Sequence, residues 1–80
     1  MKLTQEDIKY LEENHPDNVP IEVACKLINR NCEKSKRVDK DSLRVSIKKN
    51  ACPFGWGIPS PNGNIWRFRI ETHKFIEYFS

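Results

Sequence analysis

The chain has 80 residues, a formal net charge of +3 and three cysteines. That length allows one domain, with a core that depends on a few large side chains. No apolar run is long enough to span a membrane. The start, Met1-Lys2-Leu3-Thr4-Gln5-Glu6-Asp7, lacks a signal peptide's apolar stretch, so a cytoplasmic chain with no membrane partner is expected.

The charge is unevenly placed. Residues 1–33 carry four Lys or Arg against seven Asp or Glu, net −3; residues 34–80 carry ten against four, net +6, which together give the +3. Between residues 34 and 49, Lys34, Lys36, Arg37, Lys40, Arg44, Lys48 and Lys49 face only Asp39 and Asp41. Such a cluster either binds a polyanion or is a solvated loop kept soluble by its charge. Of two Trp, four Phe and two Tyr, all but Tyr10 follow residue 53, which puts the expected core mostly in the C-terminal half. Cys25, Cys32 and Cys52 form no CxxC pair. With His15 or His73 they match no common zinc module, so free thiols and no metal or cofactor are expected.

In chain order, Thr4 to Asp7 reads as a capping box opening a first helix over residues 4–14, with Leu3, Ile8 and Leu11 as its apolar side. Asn14-His15-Pro16-Asp17-Asn18 ends it. Pro20 suits a first helical turn behind a cap at Asn18 or Val19, and Ile21, Ala24, Cys25, Leu27 and Ile28 recur at helical spacing. Residues 31–40 are polar and read as a loop. Asp39 or Asp41 then caps a helix running to about Asn50, with Leu43 and Ile47 one turn apart, and Pro53 prevents its continuation. Pro61-Asn62-Gly63-Asn64 signals a hairpin turn between residues 54–58 and 65–70. Phe54, Trp56 and Ile58 alternate with glycines. Trp66, Phe68 and Ile70 alternate with Arg67 and Arg69, the apolar set inward and the arginines outward. Thr72 caps a closing helix over 72–79, with Phe75, Ile76 and Phe79 turned to the core.

Catalysis finds little support. The chain has no glycine-rich phosphate cradle, and neither histidine stands in a nucleophile motif. Helix 41–50 leaves Ser42, Arg44, Ser46, Lys48 and Lys49 free of its apolar stripe, the residue types that read base edges in a major groove. Arg67 and Arg69 on the second strand, and Asn64 at the hairpin tip, suit a phosphate backbone or minor groove. Lys34, Lys36 and Arg37 add phosphate contacts from the loop. This reading requires the helix cations and the strand arginines to share one exterior surface. Trp56, Trp66, Phe54 and Phe68 could alternatively stack on single-stranded bases, although their regular alternation favours packing.

Several segments together resemble a known family: Ile21-Glu22-Val23-Ala24-Cys25-Lys26-Leu27, Leu43-Arg44-Val45-Ser46-Ile47-Lys48, Pro53-Phe54-Gly55-Trp56, Trp66-Arg67-Phe68-Arg69-Ile70 and Lys74-Phe75-Ile76-Glu77-Tyr78. Over residues 19–79 the chain resembles the excisionase-like winged helix-turn-helix proteins of Gram-positive phages and mobile elements, related in fold to MerR-type domains. The resemblance implies an α+β winged helix-turn-helix without cofactor or enzymatic activity. It also implies a role as excisionase (recombination directionality factor) or small transcriptional regulator, bound to double-stranded DNA. Arg44 and Lys48 in the helix and Arg67 in the wing strand match its DNA-contacting positions. An integrase or recombinase, and a second copy on DNA, are the further partners it implies. The ten-residue connection Asn31 to Lys40 departs from the family's short turn. A protein-interaction adaptor on the same fold, without DNA binding, is the alternative.

Overall fold

The computed structural model describes residues 2–80 as an α+β arrangement of four helices and one antiparallel hairpin. The order is α1 (Gln5–Asn14), α2 (Ile21–Asn31), a 3-10 turn at Lys34–Lys36, α3 (Lys40–Lys48), β1 (Gly55–Pro59), β2 (Trp66–Ile70) and α4 (Thr72–Tyr78). No helix among the described residues is long and apolar enough to cross a membrane.

α1 begins in a complete capping box. Thr4 Oγ1 accepts from the Asp7 amide, and an Asp7 carboxylate oxygen accepts from the Thr4 amide. Asp7 is buried and does more than cap. Its carboxylate takes Arg30 in an ion pair and the Asn31 side-chain amide at 3.0 Å, both at the end of α2. One carboxylate thus starts one helix and pins it to the end of the next. The chain's start is tied to its end by the Leu3 amide, which donates to the Phe79 carbonyl at 2.9 Å.

Pro20 itself is the cap position of α2, without a side-chain bond. Asn18 and Val19, expected there, serve the sheet instead. The Val19 amide donates to the Ile70 carbonyl at 2.8 Å, and the Ile70 amide donates to Asn18 Oδ1 at 3.2 Å. The Thr72 amide reaches the Asp17 carbonyl, and Thr72 Oγ1 donates to the His15 carbonyl at 2.5 Å. The breaker cluster after α1 therefore acts as a short bridge to the end of β2. Thr72 is the first residue of α4, with Glu71 in the cap position. A buried hydroxyl with a carbonyl acceptor in reach is better satisfied there than at an exposed cap.

The connection 31–40 is more ordered than a bare loop. It contains the 3-10 turn, and its far end is held by Asn29. The Asn29 Nδ2 donates to the Val38 carbonyl at 2.7 Å, and the Val38 amide donates to Asn29 Oδ1 at 2.8 Å. This two-bond clasp sets where α3 starts.

The core draws on both halves of the chain, not mostly on the second. Leu11, Val19, Ala24, Leu27, Leu43, Ile47, Phe54, Ile70 and Phe75 are buried together. Phe54 meets the Phe75 and Phe79 rings at 5.2 Å centroid distance in each case, edge-on or tilted, the favoured aromatic geometry. Trp56, Ile58 and Tyr78 are left exposed.

On β2 the expected alternation holds, with Trp66, Phe68 and Ile70 inward and Arg67 and Arg69 outward. The hairpin register leaves Trp56 and Ile58 of β1 out of the core, against the packing expected of Trp56. β1 pairs with β2 as Gly55–Ile70, Trp56–Arg69, Gly57–Phe68, Ile58–Arg67 and Pro59–Trp66. Paired residues share a face, so the glycines lie with Phe68 and Ile70 on the inner side. A Cβ at Gly57 would stand 3.1 Å from the Trp66 ring and 3.4 Å from Ile47, and one at Gly55 3.2 Å from the Arg69 carbonyl oxygen. The inner face of β1 has no room for a side chain, because Trp66 and α3 fill it. Trp56 and Ile58 must therefore face out.

Candidate nucleic-acid interface

α3 owes its position to both ends. Asp39 caps its start, its carboxylate accepting from the Ser42 amide at 2.6 Å. That bond holds the Asp39 carboxyl below its ordinary pKa. The helix stops at Lys48, two residues short of the expected Asn50. Asn50 adopts φ 55°, its amide donates to the Ile47 carbonyl and the Ala51 amide to the Ser46 carbonyl. This is a left-handed stop of the Schellman kind, with asparagine in the position glycine usually holds.

Leu43 and Ile47 are buried and fix α3 against α2 and β1. At 100° per residue the direction opposite that stripe belongs to Val45, which is 46% exposed. Ser42, Lys48 and Lys49 flank it and are exposed, while Arg44 and Ser46 are half-buried at the sides. Arg44 pairs with Asp41 at 3.1 Å and lies beside Cys25 and Val38 in a shallow cleft toward α2. Burial pushes the Cys25 thiol up, and Asp39 adds to that shift, so the thiol stays neutral at the base of this cleft. The Cys52 thiol is raised by burial as well, and all three cysteines are free.

Lys48 lays its ammonium over the inner-face aromatics of β2, 5.4 Å from the Trp66 ring centroid and 6.0 Å from that of Phe68. A cation over an aromatic face is attracted by the ring quadrupole, so Lys48 is held at the junction of helix and hairpin. Lys49, one position on, has no such anchor.

The remaining predicted residues fall into three groups. Lys34, Lys36 and Arg37 are exposed on the turn that leads into α3. Asn64 is exposed at the hairpin tip, where Asn62 Oδ1 accepts from its amide at 3.1 Å and Gly63 takes φ 74°. Ile65 beside it is 66% exposed. Arg67 and Arg69 stand apart. By register they lie on the outer face of the hairpin with Trp56 and Ile58, away from the inner face that meets Ile47 and Lys48. The helix cations and the strand arginines do not share one face of the hairpin, because the glycines bring β1 down onto α3 and turn the arginine-bearing side out.

The ion pairs sort the cations. Among the described residues, Lys9, Arg30, Lys40, Arg44 and Lys74 each pair with a carboxylate. Lys2, Lys26, Lys34, Lys36, Arg37, Lys48, Lys49, Arg67 and Arg69 pair with none there. Of the acids in the leading segment, Asp7 is taken by Arg30, Glu13 by Lys9 and Glu22 by Lys40, whereas Glu6, Glu12, Asp17 and Glu33 have no ion-pair partner among the described residues. Among the described residues no group of His, Cys, Asp and Glu could hold a metal ion.

Sequence reasoning missed Val45 and Ile65. Val45 could have been found, since it lies opposite Leu43 and Ile47 on the same helix wheel; Ile65 had only its place beside the turn. Comparison of the chain with protein-family models, with curated proteins and with solved structures gave no match.

Proposed function

We propose that the chain is a duplex-DNA-binding module in which α2, the clasped connection, α3 and the hairpin act as a winged helix-turn-helix. The observation that carries this is the concentration of carboxylate-free cations around the exposed side of α3. A helix of this width fits a major groove. Ser42, Val45, Lys48 and Lys49 then face the bases, and Lys34, Lys36 and Arg37 meet the phosphates on the approach side. Val45 is the apolar contact a thymine methyl group accepts, between hydrogen-bonding neighbours. Asn64 and Ile65 at the hairpin tip lie along the backbone or reach into the adjoining minor groove. Arg44 is taken by Asp41 and is available only if that exposed pair opens.

The motifs around Pro53-Phe54-Gly55-Trp56 and Lys74-Phe75-Ile76-Glu77-Tyr78 resemble excisionase-like proteins of phages and mobile elements. On that resemblance the module is an excisionase or a small regulator in the cytoplasm, acting on DNA beside an integrase or recombinase, itself without catalysis or cofactor. Phosphate contacts release counterions, so affinity for a selected duplex falls steeply between about 50 and 200 mM salt. Fluorescence anisotropy of a labelled duplex tests this. The proposal predicts a linear fall of log affinity with log salt, shallower in the Lys48→Ala/Lys49→Ala double variant. Salt-independent binding, or none to any duplex recovered by random-site selection, contradicts it.

A further inference from the structure

The outer face of the hairpin is a second surface, separate from α3. It carries Trp56, 40% exposed, and Ile58, 49% exposed, each directly across from an arginine, Arg69 and Arg67. Neither arginine has a carboxylate partner among the described residues. Glu71, two residues beyond Arg69, is paired with Lys74 at 3.1 Å and feels Arg69 only as a more distant charge. The exposure is built in: the inner positions of β1 are closed at Gly55 and Gly57, so no one-residue slip can bury Trp56.

We propose that this face binds single-stranded nucleic acid, with Trp56 stacking on a base and Arg67 and Arg69 holding successive phosphates. The two arginines lie two residues apart on one strand, roughly 6.7 Å, a spacing suited to neighbouring phosphates of an extended chain. A tryptophan ring can stack only on a base whose face is uncovered, and a duplex covers both faces of each internal base. A second copy packed face to face would set arginines against arginines. An aromatic flanked by unpaired cations calls for a ligand that is both anionic and flat.

The full chain is titrated into labelled oligo-dT and oligo-U of roughly twelve nucleotides, within the site sizes such surfaces cover, and read by anisotropy at low salt. Saturable binding is expected, weakened about tenfold or more by Trp56→Ala and by Arg67→Ala/Arg69→Ala, with Trp56→Phe retaining most of it. Intrinsic tryptophan emission is quenched on binding, and that quench is lost in Trp56→Phe. Oligo-dT bound more tightly than oligo-U assigns DNA, and the reverse assigns RNA. Duplex affinity is unchanged by Trp56→Ala, and oligonucleotide affinity survives Lys48→Ala/Lys49→Ala, so this surface and the duplex surface fail separately. No saturable oligonucleotide binding, or binding insensitive to Trp56→Ala in a variant with native circular dichroism, overturns the proposal.

Discussion

At the scale of single residues, Lys48 and Lys49 are neighbours with different jobs. Lys48 rests on Trp66 and Phe68, whereas Lys49 points to solvent. Lys48→Ala therefore lowers stability by about 0.5–1 kcal/mol in urea unfolding, while Lys49→Ala leaves it unchanged. On the proposed interface each variant removes one cation from the groove, so each should make the salt dependence of duplex binding shallower, by about 0.9 where that cation neutralises a phosphate. Equal stability effects would show that the aromatic contact is idle. Asn50 gives a second test. Its positive φ suits asparagine or glycine and strains a β-branched side chain. Asn50→Gly is accordingly near neutral, and Asn50→Val costs more than about 1 kcal/mol in the same assay.

At the scale of elements, the start of α3 titrates. The Asp39 carboxyl lies below its ordinary pKa chiefly because the Ser42 amide donates to it. A carboxyl depressed in the folded state favours folding above its unfolded pKa, near 3.9, and that contribution disappears as pH falls through the folded value. Thermal stability should therefore decline below about pH 4. Glu71, held down by its bond to Lys74, adds to the decline in the same window. Asp39→Asn keeps an oxygen acceptor but cannot titrate, so its melting temperature should change less between neutral and acid pH. An identical pH profile in that variant would remove Asp39 from the account. The helices were legible in the sequence because caps and apolar spacing are local: Thr4 with Asp7, Asp39 with Ser42, Leu43 with Ile47. Two features were not legible. The clasp of Asn29 on Val38 joins residues nine apart, and no local pattern announces it. The outward turn of Trp56 depends on how closely α3 approaches Gly57, a tertiary fact. Alternation placed the faces of β2 correctly, but on β1 it is the glycine face that turns inward.

At the scale of the whole molecule, the fold is closed by polar contacts between distant parts of the chain. Asp7 binds α1 to the end of α2, and the 15–19 segment bridges to Ile70 and Thr72. Asp7→Ala removes a cap and a buried acceptor together and should lower global stability by about 2–3 kcal/mol. A loss confined to α1, seen as local hydrogen exchange with the rest unaffected, would show that this helix is only appended. The charge division was legible at this scale as an imbalance between halves of the sequence. Its meaning was not, because ion pairs such as Arg30–Asp7 and Lys40–Glu22 join residues far apart in the chain. Of the nine cations left without a carboxylate among the described residues, all but Lys2 and Lys26 lie on α3, on the turn before it, beside it at Lys49, or on the outer face of the hairpin.

The central claim is that the Val45 side of α3 meets duplex DNA. Backbone amide shifts of the labelled chain, recorded as a selected duplex is added, test it most directly. The account predicts the largest changes at Ser42, Val45, Lys48 and Lys49, with further changes at residues 34–37 and 62–65. Changes confined to α1 and α4, with α3 silent at saturation, would contradict it.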